Sequence, residues 1–269
     1  MHDLKDKVFI VTGAGSGMGR ELTLLLVKKG VKVAGCDINE QTLAETKSLI
    51  SDQRLIKTYV LDVTDEENGA MFAKTVKEDF NGLHGIINNA GIIQPFMNFM
   101  KLSDATVKRV MNINFYSVIN LTRAVLKEVD PNDDTYIVNI SSMGGFLPVP
   151  GQGIYGASKA GVKLFTEALY AETKDSNVHI SVVFPGAIAT NITENSKADK
   201  DEKSVSAKEG AQHKTTPADV AAKIIVEGIE KGKLKIFVGK DSKMMDILYR
   251  LMPVKSIDMM TNMINKMIS

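Results

Sequence analysis

Tryptophan is absent from the 269-residue chain, cysteine occurs once, and charge nearly cancels, with 33 basic against 32 acidic residues. The single cysteine, Cys36, excludes an internal disulfide and is too few for a thiolate metal site. No metal centre is therefore expected, and the chain reads as a cytoplasmic protein of a reducing compartment. A net charge of +1 provides no overall field for nucleic acid or an anionic membrane, and no basic cluster carries an interleaved aromatic platform. No stretch reaches the roughly 18 uncharged apolar residues that a membrane-spanning helix needs. Residues 1–7 are polar and charged, and the apolar run behind them enters a glycine-rich turn, which reads as a strand and not a signal peptide. With no Pro/Gly/Ser-rich linker and no internal repeat, one domain is simpler than two.

Short apolar runs at 8–11, 32–36, 57–61, 85–88, 135–139, 179–184 and 234–238 alternate with longer amphipathic stretches. Runs rich in β-branched residues with little polar alternation suit strands covered on both faces. Their alternation with helices predicts an α/β fold, a parallel doubly wound sheet of about seven strands with right-handed crossovers. Two regions stand apart. Residues 190–216 are polar and poor in apolar side chains, as expected of a substrate lid after the sixth strand. Residues 241–269 form a methionine-rich tail, a C-terminal helical extension to the domain at 1–240. In the tail, Met244, Ile247, Leu248 and Leu251 precede a break at Pro253, and a second stripe follows at Ile257, Met260, Met263, Ile264, Met267 and Ile268. The stripe predicts packing onto the same chain or a sister subunit. A pocket cover is the next reading, and contact with a membrane surface, beside Lys255 and Lys266, the last.

Directly after the first strand stands T-G-A-G-S-G-M-G, residues 12–19, with an amphipathic helix expected from near Arg20. Glycines let the backbone turn tightly and approach a pyrophosphate, and a helix N-terminus offers free N–H groups to an anion. The second strand ends in Asp37, about 20 residues on, where a carboxylate would accept hydrogen bonds from ribose hydroxyls. Asp37 also reads as the cap of a helix starting at Ile38 or Asn39; together with the loop, ribose binding is favoured. A 2′-phosphate within about 4 Å of this carboxylate would be repelled by roughly 4 kcal/mol at an effective dielectric of about 20. No compensating cation adjoins it in sequence, so NAD is favoured over NADP.

These residues resemble the short-chain dehydrogenase/reductase family, in its compact single-domain branch with a Rossmann-like three-layer fold, over roughly residues 5–240. The resemblance assigns Gly13, Ser16, Gly17, Met18 and Gly19 to the cofactor loop and Asp62 and Val63 to the adenine. It places Asn89, Ala90 and Gly91, from N-N-A-G at 88–91, beside the adenosine ribose. Pro185, Gly186, Ile188 and Thr190 would fix the nicotinamide carboxamide.

Tyr155 opens Y-G-A-S-K, and at 3.6 residues per turn Lys159 falls on the same helix face. A phenol is a poor base at neutral pH, but a neighbouring ammonium favours its ionised form, giving an acid/base pair. The family pattern sets a serine 13 residues before the tyrosine, which selects Ser142 over Ser141, the latter reading as a strand-end cap. It also adds Asn114, with Asn112 the rival, holding a water that relays protons to Lys159; Ser117 supports Asn114. Lys159 would further hold the nicotinamide ribose.

Gln94, Phe96, Met143, Phe146, Pro148, Val149 and Gln152 are expected to face the substrate; the absence of arginine and lysine among them favours an uncharged or hydrophobic alcohol or carbonyl compound. The resemblance thus implies an NAD-dependent alcohol dehydrogenase working as a homodimer or homotetramer. The alternatives are an NADPH-dependent 3-oxoacyl reductase and a silent NAD-binding protein.

Overall fold

The structure, a computed structural model, describes residues 1–189, 192, 196 and 215–268, the side chains of 265–268 excepted. Thr190, most of the expected lid and the side chains of Met267 and Ile268 lie outside the described residues. The chain runs β1 (Val8–Thr12), α1 (Gly17–Lys28), β2 (Lys32–Asp37), α2 (Glu40–Ser48), β3 (Ile56–Val60), α3 (Glu66–Phe80) and β4 (Gly85–Asn88). It continues through α4 (Asp104–Met111), α5 (Ser117–Glu128), β5 (Thr135–Ile140), α6 (Gly153–Glu172) and β6 (Val178–Pro185). Then follow α7 (Ala218–Glu230), β7 (Lys235–Val238), α8 (Lys240–Leu251) and α9 (Pro253–Ile268).

The strands form one parallel sheet in the order β3-β2-β1-β4-β5-β6-β7. Successive residues of β1 serve opposite faces, as the two-residue repeat of a strand requires. Phe9 and Val11 pack with Leu22 and Leu26 of α1, Leu43 of α2 and Ile225 and Ile229 of α7. Val8 and Ile10 pack on the other side with Phe72 and Val76 of α3 and Leu121 and Val125 of α5. Helices on both faces explain why these strands read as unbroken apolar runs. Because the connections leave β1 and β4 toward opposite ends of the sheet, a crevice opens between them at the carboxyl edge, where doubly wound sheets hold ligands.

A polar ladder crosses this core. Asn88 Nδ2 donates to Asn139 Oδ1 at 2.8 Å and to Thr122 Oγ1 at 3.0 Å, and Asn139 Nδ2 donates to Thr166 Oγ1 at 2.9 Å. It joins β4, β5, α5 and α6 with buried groups that have no access to water. Satisfied, such groups fix a register; half-satisfied, they are costly.

The tail packs on the same chain: Met245 of α8 and Met260 and Ile264 of α9 enclose Leu147, with Met143, Phe146, Val149, Leu248 and Tyr249 around them. This differs in detail from the expected stripe. Met244, Ile247 and Leu251 point outward, at 61%, 52% and 74% exposure, as does Met263 at 39%. Leu248 turns inward as the stripe predicts, joined by Met245 and Tyr249, because two apolar faces adjoin on this helix and the partner surface chooses between them. Pro253 opens α9 as its first residue, where its missing N–H costs nothing.

Replacing Asn139 with Ala should take one hydrogen bond each from Asn88 and Thr166, which keep Thr122 and the Val162 carbonyl as partners, and lower the unfolding free energy by about 1–3 kcal/mol. Urea denaturation measures it; a loss below about 0.5 kcal/mol would show that the ladder is not a stabilising element.

Candidate active site

The nucleotide-facing end is built mostly from backbone. β1 ends at Thr12, whose hydroxyl oxygen accepts hydrogen bonds from the N–H groups of Asn89 and Ala90, both at 2.9 Å. Asn89 Nδ2 donates to the Thr12 carbonyl at 2.9 Å. N-N-A-G is therefore more than a turn at a strand end: it bolts β4 to the glycine loop. Gly13 turns the chain with φ +68°. Helix α1 begins at Gly17, three residues earlier than expected. It can do so because Gly19 lies directly against the Gly13 carbonyl, where any Cβ would collide. Gly19 thus sits beneath the loop rather than in the cleft wall.

The crevice encloses about 730 Å³, within the range of small-molecule sites. Gly13, Ser16, Gly17, Met18, Asp37, Asp62, Val63, Asn89, Ala90 and Gly91 line one end, and Ser142, Tyr155, Lys159, Pro185, Gly186 and Ile188 the other. Asp37 Oδ2 accepts from Gly15 N at 3.0 Å and Oδ1 from Asn39 N at 3.1 Å. The helix-capping alternative fails: α2 starts at Glu40 and is capped by Asn39, which accepts from Thr42 N. Asp37 instead ties β2 to the loop while lining the cleft. The nearby cation, missed in sequence, is Arg20. Its guanidinium is held by the Gly15 carbonyl at 2.6 Å, by Thr46 Oγ1 at 3.0 Å and by Glu45 at 2.9 Å.

At the chemical end, Tyr155 and Lys159 lie one turn apart on α6. The Lys159 ammonium is buried, donates to the Ile140 carbonyl at 2.9 Å, and is pushed down to about 8 by burial. Burial likewise raises the Tyr155 phenol above its ordinary value, and a hydrogen bond with Ser142 works against that rise. Ser142 also accepts from Gly144 N at 3.0 Å, capping the short turn after β5. Ser141 does not cap the strand; its hydroxyl donates to the Lys159 carbonyl at 2.8 Å.

Asn112 lines the cleft, whereas Asn114 is wholly buried beneath it. Residues Asn112–Tyr116 form a π turn between α4 and α5, a bulge often found at functional sites. The Asn114 amide donates to the Ile92 carbonyl at 2.9 Å and to Ser158 Oγ at 3.1 Å, and accepts from Ile92 N at 2.9 Å. A Cβ on Gly91 would meet Asn114 Oδ1 at 3.2 Å and Lys159 Nζ at 3.3 Å, so the glycine lets both approach it.

None of the expected substrate-facing residues Gln94, Phe96, Met143, Phe146, Pro148, Val149 and Gln152 lines the cleft. Gln94 is buried, its Oε1 accepting from Ile154 N and Tyr155 N, both at 2.9 Å, and its Nε2 donating to the Gly151 carbonyl. Gln152 Nε2 donates to the Gln94 carbonyl at 2.8 Å. Both glutamines hold the start of the helix that carries Tyr155. Met143 and Phe146 turn into the tail-covered cluster. The walls at this end are instead Ile92, Ile93, Asn112, Ile113, Ile192 and Arg109. Arg109, whose NH1 donates to the Ser196 carbonyl at 3.1 Å, removes the argument from a lack of cations. Only its contact after folding identifies it, since α4 carries no motif.

A family model described as short chain dehydrogenase matches residues 7–201. The chain is 36% identical over 257 residues to SadH of Mycobacterium tuberculosis, an oxidoreductase by its name, covering 94% of this chain and 93% of SadH. It is 33% identical over 195 residues to the 3-oxoacyl-[acyl-carrier-protein] reductase FabG of Thermotoga maritima, covering 71% and 78%. Among solved structures, a short chain dehydrogenase/reductase of Burkholderia phymatum in complex with NAD superposes with a TM-score of 0.80 at 25% identity, over 88% of this chain and 90% of that one. By its fold, by the residues gathered in this cleft and by these relatives, the chain belongs to the short-chain dehydrogenase/reductase family of oxidoreductases.

Proposed function

We propose that the chain interconverts an alcohol and a ketone or aldehyde with NAD as the redox partner, Tyr155 serving as the acid/base. The observation that carries this reading is that Ser142, Tyr155 and Lys159 line the same cleft as the glycine loop and Asp37. The residues fit a dinucleotide. The loop and the start of α1 suit its pyrophosphate, Asp37 a ribose, Asp62 and Val63 the adenine, and Pro185, Gly186 and Ile188 the nicotinamide end. The Burkholderia relative, solved with NAD, supports the same assignment. Bound there, the nicotinamide supplies or accepts the hydride.

The chain's own part is proton handling and positioning. Ser142 and Tyr155 both present hydroxyls that can donate to one substrate oxygen. Lys159 donates a hydrogen bond to the Ile140 carbonyl, and burial favours the protonated phenol of Tyr155. In that form Tyr155 can give its proton to a carbonyl oxygen during reduction. Lys159 and Asn114, converging on Gly91, form the inner end of a relay that would resupply it. The substrate side, walled by Ile92, Ile93, Ile113 and Ile192 with Asn112 and Arg109 among them, suits an apolar body carrying a polar or anionic group near the reacting carbonyl. The relation to 3-oxoacyl reductases makes a 3-oxoacyl thioester a worthwhile member of any substrate panel.

Replacing Tyr155 with Phe should leave NAD affinity within about threefold and lower kcat by roughly 10²–10⁴-fold. The difference spectrum, wild type minus this variant, should show no phenolate band at neutral pH without cofactor. Undiminished turnover would dismiss Tyr155 as the acid/base, and a neutral-pH band would dismiss the protonated resting state.

Cofactor choice is tested by calorimetry with NAD and NADP. With Arg20 committed to Gly15, Thr46 and Glu45, Asp37 should disfavour the 2′-phosphate by up to about 4 kcal/mol, near a thousandfold. Asp37→Asn should remove most of that preference. Wild-type protein binding NADP as tightly as NAD would overturn the assignment.

A further inference from the structure

The amino edge of the sheet, opposite the cleft, gathers His2, His84 and His179; His84 precedes β4 and its Nδ1 accepts from Val8 N at 3.0 Å, while the other two lie together at β5 and β6. His179 is the second residue of β6, Asp134 immediately precedes β5, and His2 is drawn across them by the hydrogen bond from its backbone N–H to the Glu230 carbonyl at 2.7 Å. One ligand atom from each of the three side chains lies within 4.8 Å of the others. We propose that His2, Asp134 and His179 bind one divalent transition-metal ion of the zinc class, stapling the N-terminal segment to β5 and β6.

The donor set argues for this chemistry. Two imidazole nitrogens and a carboxylate suit zinc, cobalt or nickel, whereas magnesium and calcium prefer oxygen alone. His179 Nε2 lies 2.8 Å from Asp134 Oδ1, so this pair satisfies itself. The His2 ring has no hydrogen-bond partner among the described residues; it meets His179 at 4.1 Å and Tyr136 at 5.6 Å between centroids. An imidazole placed between two other rings has a lone pair unspent.

The Tyr136 hydroxyl, on the strand position paired with His179, is also buried with no partner, so this corner carries a second unspent polar group. Zinc–ligand bonds of about 2.0–2.2 Å put tetrahedral donors ~3.4 Å apart. Seating an ion would draw in donors that now lie within 4.8 Å of one another and exchange the His179–Asp134 hydrogen bond for bonds to the metal. The protein supplies three ligands, leaving the fourth position to water.

Because the ion would lie at the amino ends of β5 and β6, the prediction is independent of the cofactor and substrate assignments. The untagged full chain, stripped with a chelator, is titrated with cobalt(II) and separately with zinc(II). One equivalent of cobalt should bind and give visible d–d bands, and zinc at a hundredfold excess over its Kd should raise Tm by about 5 °C or more. His2→Ala and His179→Ala should each abolish the bands and most of the shift while leaving nucleotide binding intact. His179→Gln serves if the alanine variant does not fold. A wild-type chain without saturable bands or thermal shift would overturn the site, as would bands that persist in both histidine variants.

Discussion

A charged ammonium is expensive to bury, and the arrangement of the cleft follows from where Lys159 puts its charge. The side chain is 4% exposed and is offered the Ile140 carbonyl at the last residue of β5. That acceptor exists because β5 ends there: a carbonyl inside a ladder would be engaged with its neighbour strand. Ser141 then grips the Lys159 carbonyl from the same strand end, fixing α6 in both rotation and height. Gly145 lies so close to Lys159 that a Cβ would fall 2.8 Å from its carbonyl, and Gly91 leaves the space on the ammonium side. Burial pushes the lysine down to about 8.

The sheet was legible because burial on both faces leaves an unmistakable pattern: residues 85–88 and 135–139 are apolar runs ending in asparagine, and both became central strands. The glycine loop, Asp37 and the Tyr155/Lys159 pair were legible because their spacing translates directly into geometry. What sequence concealed was side-chain direction in irregular segments. Gln94 and Gln152 stand between glycines, prolines and apolar residues, as substrate-facing polar groups would. Only the fold shows that the open N–H groups of Ile154 and Tyr155 need an acceptor and that Gln94 provides it. Arg109 sits on a short helix with no motif, and no local pattern announces that this helix runs into a π turn beside the cleft.

Arg20 shows how electrostatic reasoning from adjacency fails and is then restored. The residue is five positions beyond Gly15, so its helix brings a guanidinium back to the loop it has just left. Proximity alone would argue for a 2′-phosphate partner. Yet the fork is filled by a carbonyl, a threonine hydroxyl and the Glu45 carboxylate. Releasing it would cost at least two charge-assisted hydrogen bonds at a group only 24% exposed. The charge that matters to a ligand is the one not offset by an opposite charge, and beside the loop that is the carboxylate of Asp37, whose partners are the backbone N–H groups of Gly15 and Asn39.

The tail extends the same logic to the other wall. Ser142 belongs to a short turn of glycines and Met143, which alone could not hold a hydroxyl against Tyr155 within a fraction of an ångström. Rigidity has to come from packing behind the turn. Leu147, fully buried, is seated among Met245, Met260 and Ile264, and Phe146 meets Phe184 of β6 edge-on at 5.6 Å. Residues more than a hundred positions downstream thus form the backing of the serine turn. Methionine, unbranched and polarisable, fills such an irregular surface without dictating its shape. The tail is therefore a structural partner of the chemical end, coupled to it through Leu147 and, at its start, through Asp241, which accepts from the Ala187 N–H, so changes in α8 and α9 should reach the placement of Ser142 before they reach the glycine loop.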